Sequence, residues 1–169
     1  MIGLDDVSAA AERIAGQVRR TPVIAADNLK EPLVPTADVK VVLKLELLQV
    51  TGSFKARGAT NKLLSMNPAM LGNGIVAASG GNHGLATARA GYISGVQTTI
   101  YLPENATPAK IEKLKQWNAD IHIVGSVWDA ANAAALDHVK RTGAAYFHPF
   151  ADREVVAGQG TVALEILDQ

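Results

Sequence analysis

The stretch TGSFKARGA, residues 51–59, sets Lys55 just ahead of a run with helical spacing, in which Ala56, Ala59 and Leu63 share one side and Arg57, Asn61 and Lys62 fall elsewhere. Thr51 and Ser53 offer capping hydroxyls before it, so the sequence predicts a helix with Lys55 in its first turn. That is a poor place for a cation. A helix start carries a partial positive charge, and an ammonium there loses roughly 0.3 to 1 kcal/mol relative to an anion. The same field, together with any burial, depresses the amine's pKa and enlarges its neutral, nucleophilic fraction, the form that condenses with a carbonyl. A solvated surface lysine also satisfies the position, so the chemistry depends on what stands near it.

A second stretch, AASGGNHGLATA at 77–88, ends an apolar strand in a glycine-rich loop and opens a helix of small residues. Backbone N–H groups at such a helix start make a ready site for phosphate or carboxylate. Asn82 and His83 add donors that a plain tight turn does not need, although His83 fits a helix cap or a satisfied core imidazole as well as a ligand contact. Both stretches follow strands at the carboxyl edge of a sheet, where open α/β folds bind their ligands. A dinucleotide site is the competing reading: Glu104 lies about the right distance downstream for a ribose contact, but the loop lacks the G-x-G-x-x-G spacing and Lys55 is left without a role. Tyr101, Trp117 and Trp128 read as packing aromatics, and Glu112, Asp120, Asp129 and Asp137 show no paired spacing. His122 alternates within a strand, His138 and His148 stand alone, and no metal site is expected from them.

The elements that must position these residues follow from periodicity. A helix through about Arg20 leads into a connector carrying Pro22, Pro32 and Pro35. In 39–47, Val39, Val41, Leu43, Leu45 and Leu47 alternate with Lys40, Lys44 and Glu46, the period of a strand with one wet face. Apolar strands are predicted at 74–79, 98–103 and 120–125, each followed by a helical pattern, with a further short strand at 144–150 and a helix over 158–167. Thr107 and Pro108 start one of those helices, whose buried side is Ile111, Leu114 and Trp117. The alternation means an α/β fold: an open parallel sheet with flanking helices.

Composition narrows the partners. The chain has 169 residues, zero formal net charge, 48% hydrophobic residues and no apolar run of membrane-spanning length. A soluble protein of one or two small domains is expected, with no membrane partner. The opening MIGLDDVSAAAERIAG is acidic and amphipathic rather than signal-like, so a cytoplasmic location is expected. Absent cysteine removes thiol chemistry, and balanced charge with few aromatics argues against a nucleic-acid partner. Small molecules remain.

TGSFKARGA and SGGNHG, in this order, resemble the serine/threonine dehydratase group of the fold type II pyridoxal-phosphate enzymes, and the resemblance runs the length of the chain. It implies pyridoxal 5'-phosphate as cofactor, held covalently by the lysine matching Lys55, with Phe54 and Asn82 as further contacts and Asn82 on the ring's oxygen. It implies that the loop Ser79, Gly80, Gly81, Asn82, His83 and Gly84 chiefly receives the carboxylate of an amino-acid substrate, whereas from the residues alone that loop reads as a phosphate site. In the family the phosphate is held by a separate glycine-rich loop well downstream, which this sequence lacks. The resemblance therefore makes 51–145 the small α/β domain and 1–50 and 146–169 parts of an incomplete large one, in a homo-oligomer. Val155, Val162, Leu164 and Ile166 are then expected to lack cover within this chain. Relatives that racemise serine carry a serine where Gly80 stands, and glycine moves no proton, so dehydration is favoured. The implied route has L-serine or L-threonine displace Lys55, whose freed amine takes the α-proton; the β-hydroxyl leaves, and hydrolysis yields a 2-oxo acid and ammonia. The alternatives are another fold type II enzyme, of β-replacement or threonine synthase type, and an inactive fragment that at most binds small anions.

Overall fold

The computed structural model describes residues 1–169 apart from 28, 32 and 35–38, so Pro32 and Pro35 of the expected connector lie outside the described residues. Helix α1, Leu4–Ile14, starts where the Asp6 carboxylate accepts a hydrogen bond from the Gly3 amide at 2.9 Å. It ends short of the expected Arg20 because Gly16 takes a left-handed φ of 74°. Strand β1, Val23–Ala25, pairs antiparallel with β2, Val42–Lys44. The nine-residue strand expected over 39–47 is thus only three residues long. Beyond it the chain tightens into a 3-10 turn at Glu46–Leu48, where Thr21 and Arg57 both hydrogen-bond the Glu46 carboxylate. Its alternation is not a wet and a dry face either: Val39, Val42, Leu43 and Leu47 are all exposed, since a two-stranded ribbon covers neither of its sides.

Helix α2, Lys55–Ser65, leads into β3 (Ile75–Ala78), α3 (Asn82–Ile93), β4 (Thr98–Leu102), α4 (Pro108–Lys115), β5 (Asp120–Ile123), α5 (Trp128–Thr142), β6 (Ala145–Tyr146) and α6 (Arg153–Asp168). The expected open parallel sheet is present, in the order β5-β4-β3-β6, with every neighbouring pair parallel. Residues of β3 alternate between two cores. Ile75 and Ala77 join Ala59, Leu63, Ala86, Leu102, Leu114 and Phe147 on one face, while Val76 and Ala78 join Tyr101, Ala131 and Ala135 on the other. A strand buried on both faces is what a parallel sheet between helices requires. Strand β6 stops after two residues because the chain then turns: the Phe147 amide still donates to Val76 at 2.8 Å, but His148 Nδ1 accepts from the amides of Phe150 and Ala151.

Two expectations for the flanking helices change. Helix α6 begins at Arg153, not at 158, because Asp152 caps it by accepting from the amides of Glu154 and Val155 at 3.1 and 3.3 Å. Its glycines then fall mid-helix, where a Cβ on Gly158 would stand 2.7 Å from the Arg57 carbonyl and from Gly58 Cα. Helices α2 and α6 therefore cross backbone to backbone. That crossing covers Val155, which is fully buried; Val162 and Leu164 are half-buried, and Ile166, at 43% exposure, alone of the four is open.

Candidate functional site

Lys55 is the first residue of α2. The expected hydroxyl cap is not formed: the N-cap is Phe54, with no side-chain cap, the Lys55 amide makes only a long 3.4 Å contact to Ser53 Oγ, and the Thr51 hydroxyl is buried without a partner among the described residues. The Lys55 amine donates to the Pro149 carbonyl at 2.7 Å and lies 5.4 Å from the centre of the exposed Phe54 ring. Partial burial holds its pKa below the ordinary lysine value, as a neutral-amine role needs. Among the described residues no carboxylate lies within ion-pairing distance of it.

The glycine-rich loop leaves β3 at its carboxyl end. Ser79 is tied to the sheet through its amide, which donates to Tyr101 at 3.1 Å, and its Oγ accepts from the Gly81 amide at 3.3 Å. Trp128 braces the strand end, its indole donating to the Ala78 carbonyl at 2.8 Å. Gly80, Gly81 and Asn82 line a hollow of about 230 Å³ with Thr51, Gly52, Leu85, Lys110, Lys113 and Leu114. Lys55, Phe54, Ser79 and His83 are not in that lining. Asn82, the first residue of α3, is exposed. His83 is not: at 3% exposure it points into the protein, its Nε2 lies 2.9 Å from the Phe147 carbonyl, and its Nδ1 has no partner among the described residues. Burial pushes its pKa down to about 4, so it is neutral and carries its proton on Nε2. Larger hollows lie away from the lysine, one of about 410 Å³ beside Arg57 and one of about 570 Å³ near the amino ends of β3 and β4.

Sequence reasoning missed the second side of α2. Arg57 and Asn61, expected away from the apolar face, are both fully buried. Arg57 donates to both oxygens of Glu46, at 2.7 and 2.9 Å, and to both of Glu165, at 2.7 and 2.9 Å. Lys44 closes the set, reaching Glu165 at 2.6 Å. Burial disfavours the charges of Arg57, Glu46 and Glu165, but the paired hydrogen bonds more than offset it, holding both glutamates below their usual range and Arg57 above its own. The signal that could have found this is Gly58 together with Gly158: a close helix crossing buries whatever flanks it. The lone histidines also have company. His138 Nδ1 lies 3.0 Å from the Tyr101 hydroxyl, His122 stacks on the Tyr101 ring, and His148 packs edge-on against Phe150.

A lysine amine stripped of counter-ions, an exposed aromatic beside it and an exposed amide at a nearby helix start fit the aldehyde-bearing ring of a pyridoxal cofactor. The model of the pyridoxal-phosphate dependent enzyme family matches residues 14–169, and the chain belongs to that family, whose cofactor is pyridoxal phosphate. It is 40% identical over 168 residues to an L-threonine ammonia-lyase of Thermotoga maritima, covering 99% of this chain and 41% of that protein. It is 37% identical over 168 residues to a catabolic L-threonine dehydratase of Staphylococcus aureus, covering 99% of this chain and 48% of that one. A solved maize serine racemase superposes with a TM-score of 0.92 at 32% identity, over 99% of this chain and 50% of its own. The chain thus spans about half the length of these relatives. No helix among the described residues is long and apolar enough to cross a membrane.

Proposed function

We propose that this chain supplies the lysine-bearing part of a pyridoxal-phosphate dependent ammonia-lyase that converts L-threonine or L-serine to a 2-oxo acid and ammonia. The observation that carries the reading is the Lys55 amine, partly dehydrated, free of carboxylates and held at the start of α2. When bound, the cofactor stabilises negative charge at the substrate's α-carbon. Lys55 would hold the cofactor's aldehyde, and its free amine would take the substrate's α-proton. Phe54 and Asn82 orient the ring, and the amides of the loop around Ser79, Gly80 and Gly81, with those at the start of α3, receive the substrate carboxylate. His83, buried and directed inward, acts beneath that loop rather than on the substrate. Residues 51–145 form the small domain on this reading, 1–50 with 146–169 are parts of an incomplete large domain, and the enzyme is a cytoplasmic homo-oligomer.

Gly80 separates this reading from the racemase that the maize neighbour suggests. A Cβ at residue 80 would meet only ordinary contacts, Ala106 and Leu102 at 3.7 Å, so the backbone leaves room for a side chain that could return a proton, and none is there. The test is the visible absorbance of the protein with pyridoxal phosphate, for wild type and Lys55→Ala, together with 2-oxo acid release by the whole protein from each amino acid. An absorbance band lost in Lys55→Ala and pyruvate or 2-oxobutyrate formed without a second substrate support the reading. Equal absorbance in both proteins, or D-serine as the main product, would reject it.

A further inference from the structure

The turn that links β6 to α6 is fixed from three sides. The Phe147 amide donates to Val76 at 2.8 Å, its ring is fully buried, and its carbonyl takes the His83 Nε2–H at 2.9 Å. One residue on, His148 Nδ1 accepts from the Phe150 and Ala151 amides at 3.2 and 2.8 Å and closes the turn. Between them stands Pro149, whose φ is fixed by its ring and whose carbonyl accepts from the Lys55 amine at 2.7 Å. Among the described residues, the one side chain that hydrogen-bonds this turn's backbone from α3, the helix behind the glycine-rich loop, is His83. We propose that His83 is a positioning residue for Lys55: by holding the Phe147 carbonyl it fixes the turn whose Pro149 carbonyl holds the lysine amine.

The residue type suits the task. The donor must reach across from the first turn of α3 and must not bring a second positive charge close to the amine. An imidazole buried to this degree stays neutral; among the described residues the charged groups around the turn are the Lys55 and Lys62 amines and the Asp152 carboxylate, while His148, its pKa also lowered by burial and its Nδ1 accepting two amides, is a second neutral ring. A lysine or arginine at position 83 could reach, but would add repulsion. The device also ties the loop to the lysine through a path of two hydrogen bonds and one intervening residue, His148, so the two halves of the site move as one.

This inference rests on Lys55 as the working amine, but its test needs no cofactor. The amide nitrogen of glutamine sits where His83 Nε2 does, and that of asparagine where Nδ1 does, so His83→Gln keeps the donor to Phe147 and His83→Asn loses it. Trace acetylation across the alkaline range, read at each lysine by peptide mass, gives the titration of Lys55, with Lys140 in the same sample as reference. In His83→Asn the loosened turn admits water, and the Lys55 profile moves up toward the ordinary lysine value by about half a unit, roughly a three-fold loss of neutral amine at neutral pH. In His83→Gln it stays with the wild type. A purely structural role would lower the melting temperature of both variants and move neither profile. An unshifted profile in His83→Asn, or equal shifts in both, overturns the proposal; a failure of Lys55→Ala to alter cofactor absorbance would bear on the function and leave this result standing.

Discussion

Lys55 and Arg57 leave the same turn of α2 two positions apart and so project to nearly opposite sides of the helix. Arg57 is fully buried, and every direction its guanidinium can donate in is met: two carboxylates, the Thr161 hydroxyl and the Arg19 carbonyl. Lys55 is only partly buried and meets one neutral carbonyl. A cation surrounded by carboxylates is locked in its charged form and is useful only as structure; a cation denied them keeps its proton less firmly and is available for chemistry. The helix uses the first to hold the second still.

Removing the arginine should show the largest effect. Arg57→Met leaves the partly buried Glu46 and Glu165 without their main partner, and we expect a loss of about 3 to 5 kcal/mol in urea unfolding. A loss below about 1 kcal/mol would mean that the cluster is a solvated surface network and that the contrast between the two cations is false. Next in size is the crossing that buries it. Gly158→Ala sets a Cβ 2.7 Å from the Arg57 carbonyl and Asn61 Cβ, both on a packed helix, and should cost about 1 to 3 kcal/mol.

The two glutamates also set a pH signature. Their folded-state pKa values lie below the ordinary 4.5, so their contribution to stability is complete above about pH 4.5 and is lost as pH falls through the lower folded values. In Arg57→Met the same partly buried carboxylates favour protonation, so stability should rise, not fall, as pH drops from neutral toward that point. Thermal melts of both proteins across this range test the sign. The smallest effect belongs to the other cation. The Lys55 ammonium is disfavoured by the fold, which is relieved only as pH rises through its lowered pKa. Lys55→Met should therefore leave the melting temperature unchanged or slightly raised, within about 0.5 kcal/mol, while abolishing cofactor attachment. A clear destabilisation would make Lys55 a structural residue.

What the sequence disclosed divides along the same line. The parallel strands and their helices were legible because Ile75, Val76, Ile100 and Leu102 lie in short apolar runs bounded by turn signals, which local periodicity reads directly. The start of α2 and the loop after β3 were legible because the motif residues are contiguous. The network around Arg57 was not, since Glu46 and Glu165 are 11 and 108 residues away from it and no local pattern announces such a meeting. The strand expected over 39–47 failed for a related reason: alternation reports a half-covered surface only if something covers it, and in β2 both Val42 and Leu43 stay exposed. The inward turn of His83 depends on where Phe147 lies, 64 residues away.

The brace on Ala78 has a spectroscopic consequence. The chain has two tryptophans, and they stand near opposite ends of the sheet. Trp128 donates to the last carbonyl of β3, with the His148 and Phe150 rings about it, whereas Trp117 leans edge-on against Tyr92 beside the residues that precede β4. A near-ultraviolet chromophore attached at Lys55 would draw excitation energy more strongly from the first indole than from the second. With Trp117 replaced by phenylalanine, emission becomes a one-colour ruler for the carboxyl edge of the sheet, and its quenching reports occupancy there without any turnover.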